Sequence, residues 1–125
     1  MDRRRVERWT QGYEKAWRTA GTEMLAELFT PDVVYSPSPW SEPVVGLEAL
    51  EQYWEAERQG PDEDFSMEAE VLAVEMETAV VRVAVDYHVP PRPWRDLWVV
   101  LFSPSGRCWR FEEWPFAPDQ TDGHR

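Results

Sequence analysis

Three side chains have the type and spacing for proton chemistry that needs no metal or cofactor. Asp86 and His88 flank Tyr87 in "VDYHV". On a strand, residues two apart share a face and sit about 7 Å apart at ~3.3 Å of rise per residue. His88 could act there as general acid and base, with Asp86 orienting its ring. Asp96 lies in "WRDLW", on one strand face with Trp94 and Trp98. If that face lines a cavity, two indoles desolvate the carboxyl, the setting of a working acid or base. A solvated outer face accommodates the same residues: Val81, Val83, Val85 and Tyr87 pack inward, while Arg82, Asp86 and His88 meet water. Asp96 would then pair with Arg82, Arg95 or Arg110.

Other chemistries lack parts. Beyond His88 the only histidine is His124, in a polar tail, so metal ligation has no ligand set. Cys108 is alone, and a lone strand cysteine reads as a small core residue. There is no glycine-rich phosphate loop, "G-x-S-x-G" or Walker pattern. No cofactor is expected.

The aromatic content points to a pocket. The 125 residues include 8 Trp, 4 Tyr and 5 Phe, too many large rings to leave on a monomer's surface. Tyr13, Trp17, Tyr35, Trp40, Tyr53, Trp54, Trp98 and Trp114 are candidate cavity walls, although core packing accounts for any one of them singly. A cavity so lined suits a flat, hydrophobic small molecule.

Charge narrows the partners. With 24 acidic and 13 basic residues the net charge is -11, which repels phosphate backbones and anionic lipid, so neither nucleic acid nor membrane is expected. Arg3-Arg4-Arg5 reads as a frayed, solvated start. One cysteine allows no intrachain disulfide, "MDRRRVERW" lacks a signal-peptide core, and no apolar run reaches the ~20 residues that span a bilayer. The reading is a soluble cytoplasmic protein of one domain, residues 1–118, with a disordered tail over 119–125.

Several elements must position these groups. Val6, Trp9, Tyr13, Ala16, Trp17 and Ala20 recur at spacings of three and four, predicting an amphipathic helix over 2–20 that stops at Gly21. Thr22 could cap a shorter helix ending before Pro31. Val33–Tyr35 reads as a strand, the Pro/Ser segment as a connector, and 47–58 as a third helix. The period then changes to two: "FSMEAEVLAVEMET" and "AVVRVAVDYHV" read as strands, "VPPRP" as a break, "WRDLWVVLF" as a strand, "SPSG" as a turn and "RCWRFEEWPF" as the last strand. Three helices followed by antiparallel strands indicate an α+β fold.

That layout resembles the nuclear-transport-factor-2-like superfamily, which includes SnoaL-like proteins and ketosteroid isomerase. "GYEKAWRTAGTEMLAELFTPDVVY" is similar to the family's opening, "SEPVVGLEALEQYW" to its third helix and "LWVVLFSPSGRCWRFEEWPFAP" to its closing hairpin. The resemblance implies a cone-shaped α+β fold in which three N-terminal helices and a curved antiparallel sheet enclose one pocket, with the outer sheet face making a homodimer. Against ketosteroid isomerase, Tyr13 matches the hydrogen-bonding tyrosine, Pro37 replaces the catalytic base and Trp98 replaces the protonated carboxyl. A proline cannot take a proton, so steroid isomerisation is disfavoured. An Asp–Arg–Asp set like that of limonene epoxide hydrolase could draw on Asp86, Asp96 and Arg82 or Arg95. The expected function is a SnoaL-like pocket for a small apolar or polyketide- or steroid-like molecule. Tyr13 would donate a hydrogen bond, and Asp86, His88 or Asp96 would act as acid/base in an isomerase, cyclase or dehydratase. A non-catalytic binder or dimeric scaffold is the alternative.

Overall fold

Helix α1 (Arg3–Trp17) begins where Asp2 Oδ1 accepts from the Arg5 N–H at 2.9 Å, a side-chain N-cap. The arginine run is therefore helical rather than frayed. Arg3 Nη1 donates to Val71 O at 2.6 Å, and Arg18 Nη2 donates to Phe65 O at 3.0 Å. These two arginines tie the ends of α1 to one strand. Val6, Trp9, Tyr13 and Ala16 form the buried stripe.

The computed structural model describes residues 1–58 and 63–120. After α1 come α2 (Leu25–Leu28), β1 (Phe29–Ser36), β2 (Val44–Val45), α3 (Leu47–Glu57), β3 (Phe65–Glu75), β4 (Thr78–His88), β5 (Pro91–Phe102) and β6 (Cys108–Phe116). Of the tail expected over 119–125, residues 121–125, His124 among them, lie outside the described residues.

The strands form one six-stranded sheet in the order β2-β1-β6-β5-β4-β3. All neighbours are antiparallel except β1 and β6, which are parallel, so the sheet is mixed rather than wholly antiparallel. It is the curved α+β cone, with the helices over its inner face.

Three boundaries differ from the expected ones, each for a physical reason. Helix α1 stops at Trp17, where the last turn closes through the Thr19 N–H on Ala16 O and the Arg58 guanidinium takes the carbonyls of Ala16 and Thr19. Gly21 still adopts a positive φ of 82°. Thr22 donates its hydroxyl to Glu51 instead of capping α2, which is a single turn. Finally, Pro91 and Pro93 belong to β5. They lie beyond the last β5–β6 pair, Arg95 and Phe116, where β5 has a neighbour on one side only and a missing N–H costs little.

The core is aromatic. Trp9 donates its indole N–H to Leu28 O at 2.9 Å and meets Phe29 and Phe102 edge-on. Tyr35 stacks on Phe111 with centroids 4.7 Å apart. Such pairs add about 0.5–1.5 kcal/mol each beyond the area they bury.

Candidate functional site

The alternation of β4, β5 and β6 decides which groups reach the concave side. Trp98 lies opposite Val81 on β4 and Glu113 on β6; Asp96 lies opposite Val83 and Pro115. Residues two apart share a face, so Asp96, Trp98 and Glu113 all turn inward. There, between the sheet, α1 and α3, is a cavity of about 400 Å³. Tyr13 and Trp17 enter from α1, Tyr35 from β1, and Tyr53 and Glu57 from α3. Phe65, Tyr87, Trp94, Asp96, Trp98 and Glu113 contribute from the sheet.

Its inner end is a carboxyl pair among phenols. Burial holds the Glu113 carboxyl well above the ordinary glutamate range, reinforced by the hydrogen bond and the like charge of Asp96 and, more weakly, by Glu57. Burial and the neighbouring acid thus both favour the protonated form of Glu113. Asp96 is only 6% exposed. Among the described residues four buried side-chain polar atoms have no hydrogen-bond partner, and two of them, Asp96 Oδ1 and Trp98 Nε1, belong to cavity-lining residues. Unpaired buried polar atoms cost roughly 1–3 kcal/mol each, so their concentration in one wall marks this region.

The Tyr13 and Tyr35 hydroxyls bond to each other at 2.9 Å. Burial raises both phenols well above their ordinary value, with the Glu113 charge adding to it for each, so both stay protonated donors. Burial likewise lifts Tyr53, and it pushes Tyr87 to about 12. Toward the open end, Trp17 Nε1 donates to Glu63 Oε1 at 2.9 Å, and the exposed Arg92 guanidinium lies 4.7 Å from the Trp94 ring centre.

The residues singled out by sequence fall into two groups. Tyr13, Trp17, Tyr35, Tyr53, Asp96 and Trp98 line the cavity together. Asp86, His88, Trp40, Trp54 and Trp114 do not. Asp86 pairs with Arg95 at 3.2 Å and His88 with Asp64 at 2.9 Å, both on the convex side and about half exposed, because the valines of β4 occupy its inner face. Trp40 is 97% exposed in the Pro/Ser segment, of which Pro37 alone reaches the cavity. Trp54 is fully buried behind the wall, against Tyr13 and Trp17, and Trp114 stands 40% exposed on the outer face. Cys108 is buried, its thiol pushed up to about 12 by desolvation, which removes it as a nucleophile. Neither Arg82, which pairs with Glu70, nor Arg95 joins Asp96, so no Asp–Arg–Asp set forms.

Glu113 is the residue that sequence reasoning missed. Its signal was the alternation Phe111, Glu113, Pro115, which puts an acid on the face of a buried phenylalanine. No group of three His, Cys, Asp or Glu that could hold a metal occurs among the described residues. No helix among them is long and apolar enough to cross a membrane.

Solved structures share this architecture. SalBIII, an epoxide hydrolase/cyclase-like enzyme in pyran ring formation in the polyether salinomycin, is 13% identical with a TM-score of 0.74, over 90% of this chain and 91% of that one. A computationally designed 17-OHP binder is 12% identical with a TM-score of 0.72, over 93% and 98%. A ketosteroid isomerase-like protein from Erwinia carotovora atroseptica is 21% identical with a TM-score of 0.67, over 90% and 95%. No curated protein matches this chain. The family model of the SnoaL-like domain matches residues 6–115, nearly the whole length, and the chain belongs to that family.

Proposed function

We propose that the cavity is a cofactor-independent acid/base site for a small molecule with a flat, largely apolar body. The observation that carries this reading is the Asp96–Glu113 pair, two carboxyls turned into the cavity beside aromatic walls, with one Asp96 oxygen unpartnered and burial pushing Glu113 toward its protonated form. Environments that separate two carboxyls in this way assign an acid and a base.

The chemistry follows from the pair. Asp96 takes a proton from a carbon next to a substrate carbonyl, while a phenol of Tyr13 or Tyr35 donates a hydrogen bond to the oxygen as charge develops on it. Return of that proton to a second carbon completes an isomerisation. Alternatively, a β-hydroxyl leaves with the Glu113 proton as water, which completes a dehydration. The proton held by Asp96 then passes across to Glu113 and restores the starting state. Enolate attack on a second carbonyl of the same molecule, with Glu113 protonating the new alkoxide, gives a cyclisation.

Hydrogen exchange tests this without knowledge of the product. In D2O, the protein should speed deuterium uptake at the carbon next to the carbonyl of bound aromatic β-hydroxy ketones. Asp96→Asn should lower that rate by about 10²–10⁴-fold. Binding with no exchange in the wild type would leave the second reading, a binder without turnover. That reading is favoured by the mutual pairing of the Tyr13 and Tyr35 hydroxyls, which already satisfies them as a wall.

The outer face supports a homodimer. Leu97 and Trp114 are register partners, each about 40% exposed, and Phe116 is 50% exposed beside them. A second copy covering this stripe would remove it from water; sedimentation as a monomer at micromolar concentration would refute the dimer. The lone buried cysteine suits work in the reducing cytoplasm.

A further inference from the structure

We propose that the molecule taken by this cavity carries a positively charged amine on its flat body. The inference rests on the acid/base reading of the cavity and names the charge of its ligand. Asp96 and Glu113 are hydrogen-bonded to each other at the inner end, Asp96 is only 6% exposed, and this acidic pair leaves one Asp96 oxygen without a partner. No described arginine neutralises it: Arg82 pairs with Glu70, Arg95 with Asp86 and Arg110 with Glu112, and none of these three lines the cavity. Acids buried together without a counter-charge are costly, and a ligand ammonium beside the pair would supply one while the reacting carbon faces the unpartnered Asp96 oxygen.

The walls point the same way. Two of the cavity's rings already carry a guanidinium on one face, Phe65 under Arg18 at 3.8 Å and Trp94 under Arg92 at 4.7 Å. Aromatic faces attract cations through the ring quadrupole, most strongly when the cation is desolvated. Glu57 and Glu63 add carboxylates toward the open end, and the net charge of -11 raises the local concentration of cations. Arg92 is the one opposing charge in the wall among the described residues; it lies at the exposed rim, over Trp94. A cation bound deeper, beside the carboxyl pair, is separated from it by the Trp94 side chain two residues from Arg92 on the same strand face.

Three probes of one shape test the charge: 2-naphthylmethylammonium, 2-naphthylmethanol and 2-naphthoate, titrated calorimetrically into the wild type in 0.3 M salt. High salt screens the diffuse attraction of an acidic surface but leaves a buried pair largely intact. The ammonium should bind at least tenfold more tightly than the alcohol, and the naphthoate most weakly. The preference for the ammonium should fall to about twofold in Asp96→Asn and by less in Glu57→Gln. Equal binding of ammonium and alcohol overturns the charge inference while leaving the cavity as a binding site. Tightest binding of the naphthoate overturns it in favour of Arg92. Binding of none of the three overturns the inference together with the small-molecule reading beneath it.

Discussion

Arg58 and Asp96 both carry ionisable side chains and both are almost wholly buried, at 7% and 6% exposure, yet their surroundings treat them in opposite ways. Arg58, at the end of α3, donates to the carbonyls of Ala16, Thr19 and Gly21 and to the Glu55 carboxylate. Its five N–H donors fit a fork of acceptors, which are carbonyls at and just beyond the end of α1 together with one carboxylate. Asp96 keeps an oxygen without a partner and faces a second acid. One buried polar side chain is used to join two helices. The other is left with bonding capacity to spare, at a cost to the fold that a structural role would not explain.

Breaking each side of this contrast should give opposite results. Arg58→Met removes the side-chain donor from the Thr19 and Gly21 carbonyls and leaves Ala16 O only its backbone donor, and it should lower the unfolding free energy by about 2–4 kcal/mol, read from urea denaturation. Asp96→Asn should leave stability at pH 7 equal to or above that of the wild type; a loss matching that of Arg58→Met would erase the distinction.

The next effect sharpens the contrast through pH. The folded Glu113 carboxyl holds its proton over an interval where the unfolded chain, with a pKa of about 4.5, has released it. The folded state binds more protons there, so its contribution is complete below about 4.5 and is lost as pH rises through the raised value. Within that interval the loss approaches about 1.4 kcal/mol per pH unit, and Glu113→Gln should remove this slope from the wild-type stability profile. An unchanged slope would mean that the carboxyl ionises as it does in water.

The smallest effects belong to the convex surface. His88→Ala and Asp86→Asn each break a half-exposed pair, and each should change stability by no more than about 0.5 kcal/mol. Neither should alter deuterium exchange, and a tenfold fall in either variant would return the chemistry to the outer face.

How much of this was legible follows from local patterns. The change of period from three-and-four to two placed the helices and the four long strands, because burial of one face imposes that spacing directly. Pro91 and Pro93 read as a break since their tolerance depends on where β6 ends, which no local pattern records. The site was legible only in part for a related reason. In "FEEWPF" the usual pattern is reversed: Trp114 and Phe116 face outward and Glu113 faces inward. A reader who places the larger apolar residues inside puts Trp114 in the wall and Glu113 in water. On β4 the same rule works, because its valines do face inward and so carry Asp86 and His88 outward.

The place of β6 in the sheet bears on how the protein is made. It is the last of the strands in chain order, yet it lies between β1 and β5. On the ribosome, α1 through β5 emerge first, with β1 and β5 each lacking the neighbour that joins them. Residues 108–116 must clear the exit tunnel before the two halves of the sheet can close around them. Glu113 therefore enters the interior in the same late step that completes the sheet, and a nascent chain halted before that step carries neither a closed cavity nor its acid.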